Sequence, residues 1–204
     1  HTGRIIATIG PLESDLEGHI VHQISQSMKM NLSFIVLGLD HLQRNKSLDA
    51  NSLSKHLFKS QVFTPASHPI IKEGLISYFN KNYIASCSIL IHQIESAIRE
   101  LISVAGGTIY QPSNNSREGG FELRALGALL RDEIFTKTVE KLNNNIPDFF
   151  RILLVDKRAL NIRNSIYHGH FPTNFLNQGI AIHIIHILLI LSILRKTESS
   201  SQNK

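Results

Sequence analysis

The stretch 79–107, FNKNYIASCSILIHQIESAIRELISVAGG, sets the fold class. Phe79, Tyr83, Cys87, Ile91, Ile94, Ile98 and Leu101 recur in steps of three and four, which lays one apolar face along about six helical turns. Gly106 and Gly107 then supply the residues that end a helix. Beside the apolar face runs a polar row, Ser88, His92, Glu95 and Arg99, stepping by four, three and four. That row has two readings. It is a solvated edge whose Glu95–Arg99 pair is worth about 0.3–0.5 kcal/mol, or a polar line in which Glu95 orients an arginine from another helix.

Working outward, the pattern on both sides is also helical. Ile20, Ile24, Met28, Leu32, Leu37 and Leu42 predict a helix over about 16–42. Asn51 or Ser52 is expected to cap a short helix, and TPASHP (64–69) reads as a linker. After the long helix, the polar, Gly-rich 108–120 reads as a mobile loop. FELRALGALLRDEIFTKTVEKL (121–142) reads as one helix, and another restarts at Pro147 and runs, with a bend, to Gly169. The oily segment 180–195 is a further helix. The expected class is all-α, a bundle of four to five main helices. Its expected divisions are an N-terminal appendage (1–65), a helical domain (66–196) and a disordered tail (197–204).

Composition narrows the function classes. A hydrophobic content of 42% against 18% charged residues in 204 is that of a packed globular chain. The net charge of +5 makes a phosphate-rich partner plausible, although no run of Lys and Arg forms a basic arm. The single cysteine, Cys87, excludes an intramolecular disulfide and a cysteine-based zinc site. With no secretory leader, a reducing cytoplasmic setting is expected. The opening HTGRII lacks an initiator Met, so the chain is expected to continue a longer one. Residues 180–194 fall short of the roughly 20 apolar residues that span a bilayer and include His183 and His186, so a buried helix and no membrane are expected.

The chemistry concentrates in NIRNSIYHGHF (161–171). If helical, Asn161, Asn164 and His168 share a face, and the long stem of Arg163 can bring its guanidinium round to them. An arginine fork binds non-bridging phosphate oxygens and offsets charge developing in a transition state. An imidazole, whose ordinary pKa is about 6.5, can take a proton from an RNA 2′-hydroxyl or give one to the leaving oxygen. No metal or cofactor is needed when the nucleophile belongs to the RNA. One histidine per chain is thin equipment for both roles, and a homodimer would supply two. His168, His170, His183 and His186 are the only set resembling a metal site, but no carboxylate lies between Arg158 and Arg195 to support it, so no metal is expected.

The string Arg163-Asn164-Ser165-Ile166-Tyr167-His168-Gly169 resembles the R-N-x-x-x-H-G signature of the HEPN superfamily, the higher-eukaryote and prokaryote nucleotide-binding domains. It is most similar to an uncharacterised bacterial family defined by that string. Like that family, the chain has an upstream HQIESAIREL (92–101) and an LGALL (126–130). The resemblance covers about 70–195. It implies a dimerising helical bundle and metal-independent RNA cleavage leaving a 2′,3′-cyclic phosphate, often in antiviral defence or toxin systems. It implies that Arg163 grips phosphate, His168 is the general acid/base, Asn164 supports them and Glu95 positions Arg163. Asn161, Tyr167, His170 and Arg99 would contact the substrate. One branch of the superfamily is silenced by nucleotide transfer to a tyrosine two residues after the histidine; His170 stands there, so that control is not expected. Other members have lost catalysis and serve as nucleotide-binding or interaction modules, which is the alternative reading.

Overall fold

The computed structural model describes residues 7–45, 48–113, 119–169, 171–172 and 174–194. Among them the chain forms nine helices and one short hairpin: α1 Leu16–Arg44, α2 Ala50–Leu57, α3 His68–Phe79, α4 Tyr83–Val104, β1 Tyr110–Pro112, β2 Phe121–Leu123, α5 Leu126–Leu129, α6 Glu133–Glu140, α7 Ile146–Leu154, α8 Ile162–His168 and α9 Gln178–Ile193. The protein is mostly helical.

The core is built around α4 and α9. The apolar face of α4 is buried at Cys87, Leu90, Ile91, Ile94, Ile98 and Leu101, and α3 and α9 pack on it. On α3, Gly74 lies against Leu90; a Cβ there would stand 2.5 Å from Leu90 Cδ2, so the missing side chain sets how closely α3 and α4 approach. Helix α9 is apolar on nearly all sides and mostly buried between Ile180 and Leu191, with His186, Leu189 and Ile190 partly so, as befits a helix enclosed by neighbours. Its last carbonyls are tied down from far away in sequence: the Ser60 hydroxyl donates to Leu194 O at 2.6 Å and lies 3.3 Å from Leu191 O. No helix among the described residues is long and apolar enough to cross a membrane.

Helix α1 packs on α9 and α7 through Val21, Ser25, Met28, Leu32 and Leu39. Its opposite side carries a second apolar row. Leu16, Ile20, Met30, Phe34 and Leu37, between 48% and 74% exposed, fall on the alternating three- and four-residue steps of a heptad seam, whose two intervening positions hold the polar Gln23 and Ser27.

Several expected elements are divided. The apolar row from Phe79 to Leu101 belongs to two helices, because Asn80-Lys81-Asn82 turns the chain through a left-handed Lys81 (φ 61°). Asn82 then caps α4 by accepting the Ala85 N–H at 3.2 Å. Helix α3 begins inside the expected linker 64–69, with Pro69 in its first turn. The cap of α2 is Asp49, not Asn51 or Ser52: its carboxylate accepts from Ser52 N–H at 2.7 Å, and the Ser52 hydroxyl accepts from Asp49 N–H at 2.9 Å. The 108–120 loop has structured ends, a hairpin pairing Tyr110 with Leu123 and Pro112 with Phe121. The expected helix 121–142 is a strand, α5 and α6, separated where Asp132 caps α6. The expected helix 147–168 is interrupted at 155–161. The expected tail 197–204 lies outside the described residues.

Candidate active site

Helix α8 is bounded at both ends by left-handed residues, Asn161 (φ 47°, ψ 39°) and Gly169 (φ 63°, ψ 20°). Asparagine is among the few side chains that enter this region readily, and glycine enters it freely. Between them, fully buried Ile162 anchors the helix, and Arg163, Asn164, Tyr167 and His168 are left at or near the surface. Asn161 is thus a neighbour of Asn164 through its position before the first turn, not as part of a continuous helical face. The Asn164 side-chain amide donates to Asn161 Oδ1 at 2.8 Å.

Arg163 is held on three sides. Its Nε donates to Glu95 Oε2 at 3.1 Å, its Nη1 to Asn164 Oδ1 at 3.2 Å, and its guanidinium carbon lies 3.9 Å above the centre of the Tyr167 ring. The stacking carries the guanidinium one turn along α8, to the residue before His168. Tyr167 is steadied in turn by His92, whose Nδ1 is 3.0 Å from the phenol oxygen. Glu95 is 5% exposed and accepts from two arginines: Arg163 on one oxygen and Arg99 Nη2 on the other at 2.5 Å. A carboxylate this buried persists because both oxygens are partnered. One carboxylate against two guanidiniums leaves the cluster with an excess positive charge. The row Ser88–His92–Glu95–Arg99 is therefore not simply a solvated edge.

The structure brings together Glu95, Arg99, Asn161, Arg163, Asn164 and Tyr167. His168 follows on the last turn of α8 and is exposed, while His170 lies outside the described residues. Arg99 is turned inward, bonding Glu95 and, at 3.3 Å, the carbonyl of Arg124. Of the remaining histidines, His183 and His186 are enclosed in α9, the latter edge-on to Phe149 with ring centres 5.2 Å apart. Burial, with the neighbouring His186, pushes His183 down to about 4; burial also lowers His186. No group of three or more potential metal ligands is found among the described residues.

A second feature escaped the sequence reading. Next to Arg163 and Asn164 lies an open cavity of about 570 Å³ lined by Arg131, Arg151, Lys157 and Arg158. Its organiser is Asp156, in the connection between α7 and α8, which accepts from Arg151 Nη1 at 2.6 Å, Arg158 Nη2 at 3.0 Å and the Arg158 backbone N–H at 3.0 Å. Burial pushes the Asp156 carboxyl up, but the hydrogen bonds from Arg158 and the charges of Arg158 and Arg151 outweigh it and hold the group below the usual carboxylate range. The spacing of Arg151, Lys157, Arg158 and Arg163 about one connection was the available signal. Reading 147–168 as one helix spread these residues over several faces.

No family model matches this chain, and no curated protein or solved structure matches it either.

Proposed function

We propose that the chain is a metal-independent endoribonuclease of the HEPN type, working as a homodimer in a reducing, intracellular setting. The observation that carries this reading is Arg163, fixed by buried Glu95 and stacked on Tyr167, on the same short helix whose last turn carries exposed His168. A fork held in this way is pre-organised for a phosphate, because little side-chain freedom remains to be lost on binding.

In the reaction, the 2′-hydroxyl of one nucleotide attacks its own 3′-phosphorus. An imidazole takes the hydroxyl proton, the P–O bond to the next nucleotide's 5′-oxygen breaks, and a second imidazole returns a proton to that oxygen. The products are a 2′,3′-cyclic phosphate and a 5′-hydroxyl, with nothing oxidised or reduced. Arg163 offsets charge on the non-bridging oxygens, Asn164 holds Arg163, and Glu95 is a positioning residue. Two imidazoles per cleavage require His168 from two copies. The exposed heptad row on α1 supports association with a second copy, since five large apolar side chains in one seam are costly to leave in water.

The second reading, a non-catalytic nucleotide-binding or interaction module, draws on the same Glu95–Arg163 bridge taken as a purely structural anchor. Exposure of Tyr167 and His168 favours the enzyme. End-labelled RNA in excess EDTA decides between them. The enzyme reading expects cutting by wild type, a loss of about 10²–10⁴-fold in His168→Ala, and about 10²–10³-fold in Arg163→Ala. Absence of cutting by wild type on any RNA would leave the module.

A further inference from the structure

We infer that the arginine-lined groove beside α8 is the track for the phosphates that flank the scissile one in single-stranded RNA, and that Glu17 of α1 is a displaceable internal occupant of it. This rests on the ribonuclease reading for the identity of the polymer. The groove itself stands on separate residues. The 570 Å³ cavity opens directly from Arg163 and Asn164, and a second hollow of about 460 Å³ continues it past Arg131 and Arg151 to Thr136. The two share Arg131, Arg151 and Glu17; the excess of guanidiniums, whose planar forks match phosphate oxygens, belongs to the first, while Asp148 and Glu17 balance the two arginines of the second.

The cations divide into two kinds. Arg151 and Arg158 are set in place by buried Asp156, whose side chain is 7% exposed. Among the described residues Arg131 and Lys157 form no ion pair, and the Arg131 side chain donates to the Gly127 carbonyl at 3.0 Å. Against the five cations lining the first cavity stand two carboxylates, Asp156 and Glu17.

Glu17 differs from Asp156 in what holds it. It bridges Arg158 Nη2 at 2.9 Å and Arg151 Nη1 at 3.3 Å, yet its side chain is 65% exposed. An exposed ion pair of this kind is weak and screened by salt. It occupies the position between two arginines that a phosphate would take. Asp156 therefore builds the groove, and Glu17 competes for it. A duplex is a poorer fit than a single strand, because double-stranded RNA is contacted across successive minor grooves over about 16 base pairs.

The test is binding of a fluorescently labelled single-stranded RNA 12-mer to the His168→Ala chain, which separates binding from cutting. In that background Arg131→Ala, an exposed change confirmed as folded by circular dichroism, is expected to weaken binding about 5–10-fold and to lower the salt slope by about 0.7, the value for one single-strand phosphate contact. Glu17→Gln is expected to tighten binding about 3-fold. If neither change alters affinity, the groove is not the track, even where wild type cuts RNA. If both act as expected but wild type never cuts, the groove stands and the ribonuclease reading falls. No binding of RNA by the parent chain would overturn both.

Discussion

At the scale of the residue, the account turns on Glu95. Its two oxygens fix two guanidiniums from a position 5% exposed. Removing it leaves Arg99 and Arg163 near one another without a counter-charge, a break that costs about 3–5 kcal/mol in buried pairs. Glu95→Ala is accordingly expected to lower the urea midpoint strongly. The shape-conserving Glu95→Gln should be milder in stability, yet should reduce RNA cleavage at least about 10-fold, because an amide cannot accept from both arginines and Arg163 loses its orientation. Unchanged cleavage in a folded Glu95→Gln chain would remove the positioning role. The link between Glu95 and Arg163, 68 residues apart, was legible once the R-N-x-x-x-H-G string was set beside the polar row on α4. The clasp of Tyr167 by His92 was not, since no periodicity relates residues 75 apart on different helices.

At the scale of the element, the sequence showed where helices lie better than where they stop. Phe79, the last residue of α3, stands in step with the apolar row of α4, so a three-residue break at Asn80-Lys81-Asn82 leaves that spacing intact and only the left-handed Lys81 reveals it. In the same way Asp156 and Asn161, which end α7 and admit α8, lie inside a run that is apolar enough to pass for one helix. Helix α9 is mostly buried, as its unbroken apolar run implies, and its histidines make stability depend on pH. His183 is lowered to about 4 by burial, whereas in the unfolded chain it titrates near the ordinary value of about 6.5. The unfolded state thus binds the proton first, and stability is full above about pH 6.5 and falls as pH drops towards 4, by up to about 1.4 kcal/mol per unit. His183→Leu should reduce that slope to the part that buried His186 contributes and, because Nδ1 of His183 is buried with no partner among the described residues, cost little at pH 7. A slope unchanged by the substitution would mean that other groups carry it. On α1, Phe34 is 73% exposed in the seam row. Phe34→Glu should keep the fold and convert a dimer into a monomer in sedimentation, with loss of cleavage. A chain that is monomeric before the change would remove the seam from the account.

At the scale of the whole molecule, a helical core around α4 and α9 positions a short helix whose one buried residue, Ile162, faces inward and whose Arg163 and Asn164 line a cationic groove. The net charge of +5 gave a general attraction for phosphate, but the concentration of Arg131, Arg151, Lys157 and Arg158 at one place depends on the connection between α7 and α8 and became visible only in three dimensions. In the proposed mechanism the polymer's own 2′-hydroxyl is the nucleophile and His168 moves its proton. The most direct measurement uses an end-labelled RNA with a single 2′-deoxy substitution at the cleaved nucleotide, incubated in EDTA with wild type and with His168→Ala. The account predicts that wild type cuts the unsubstituted RNA to a 2′,3′-cyclic phosphate, that the deoxy substitution abolishes cutting at that position alone, and that His168→Ala cuts neither RNA. Cutting at the deoxy position, or equal cutting by His168→Ala, would contradict it.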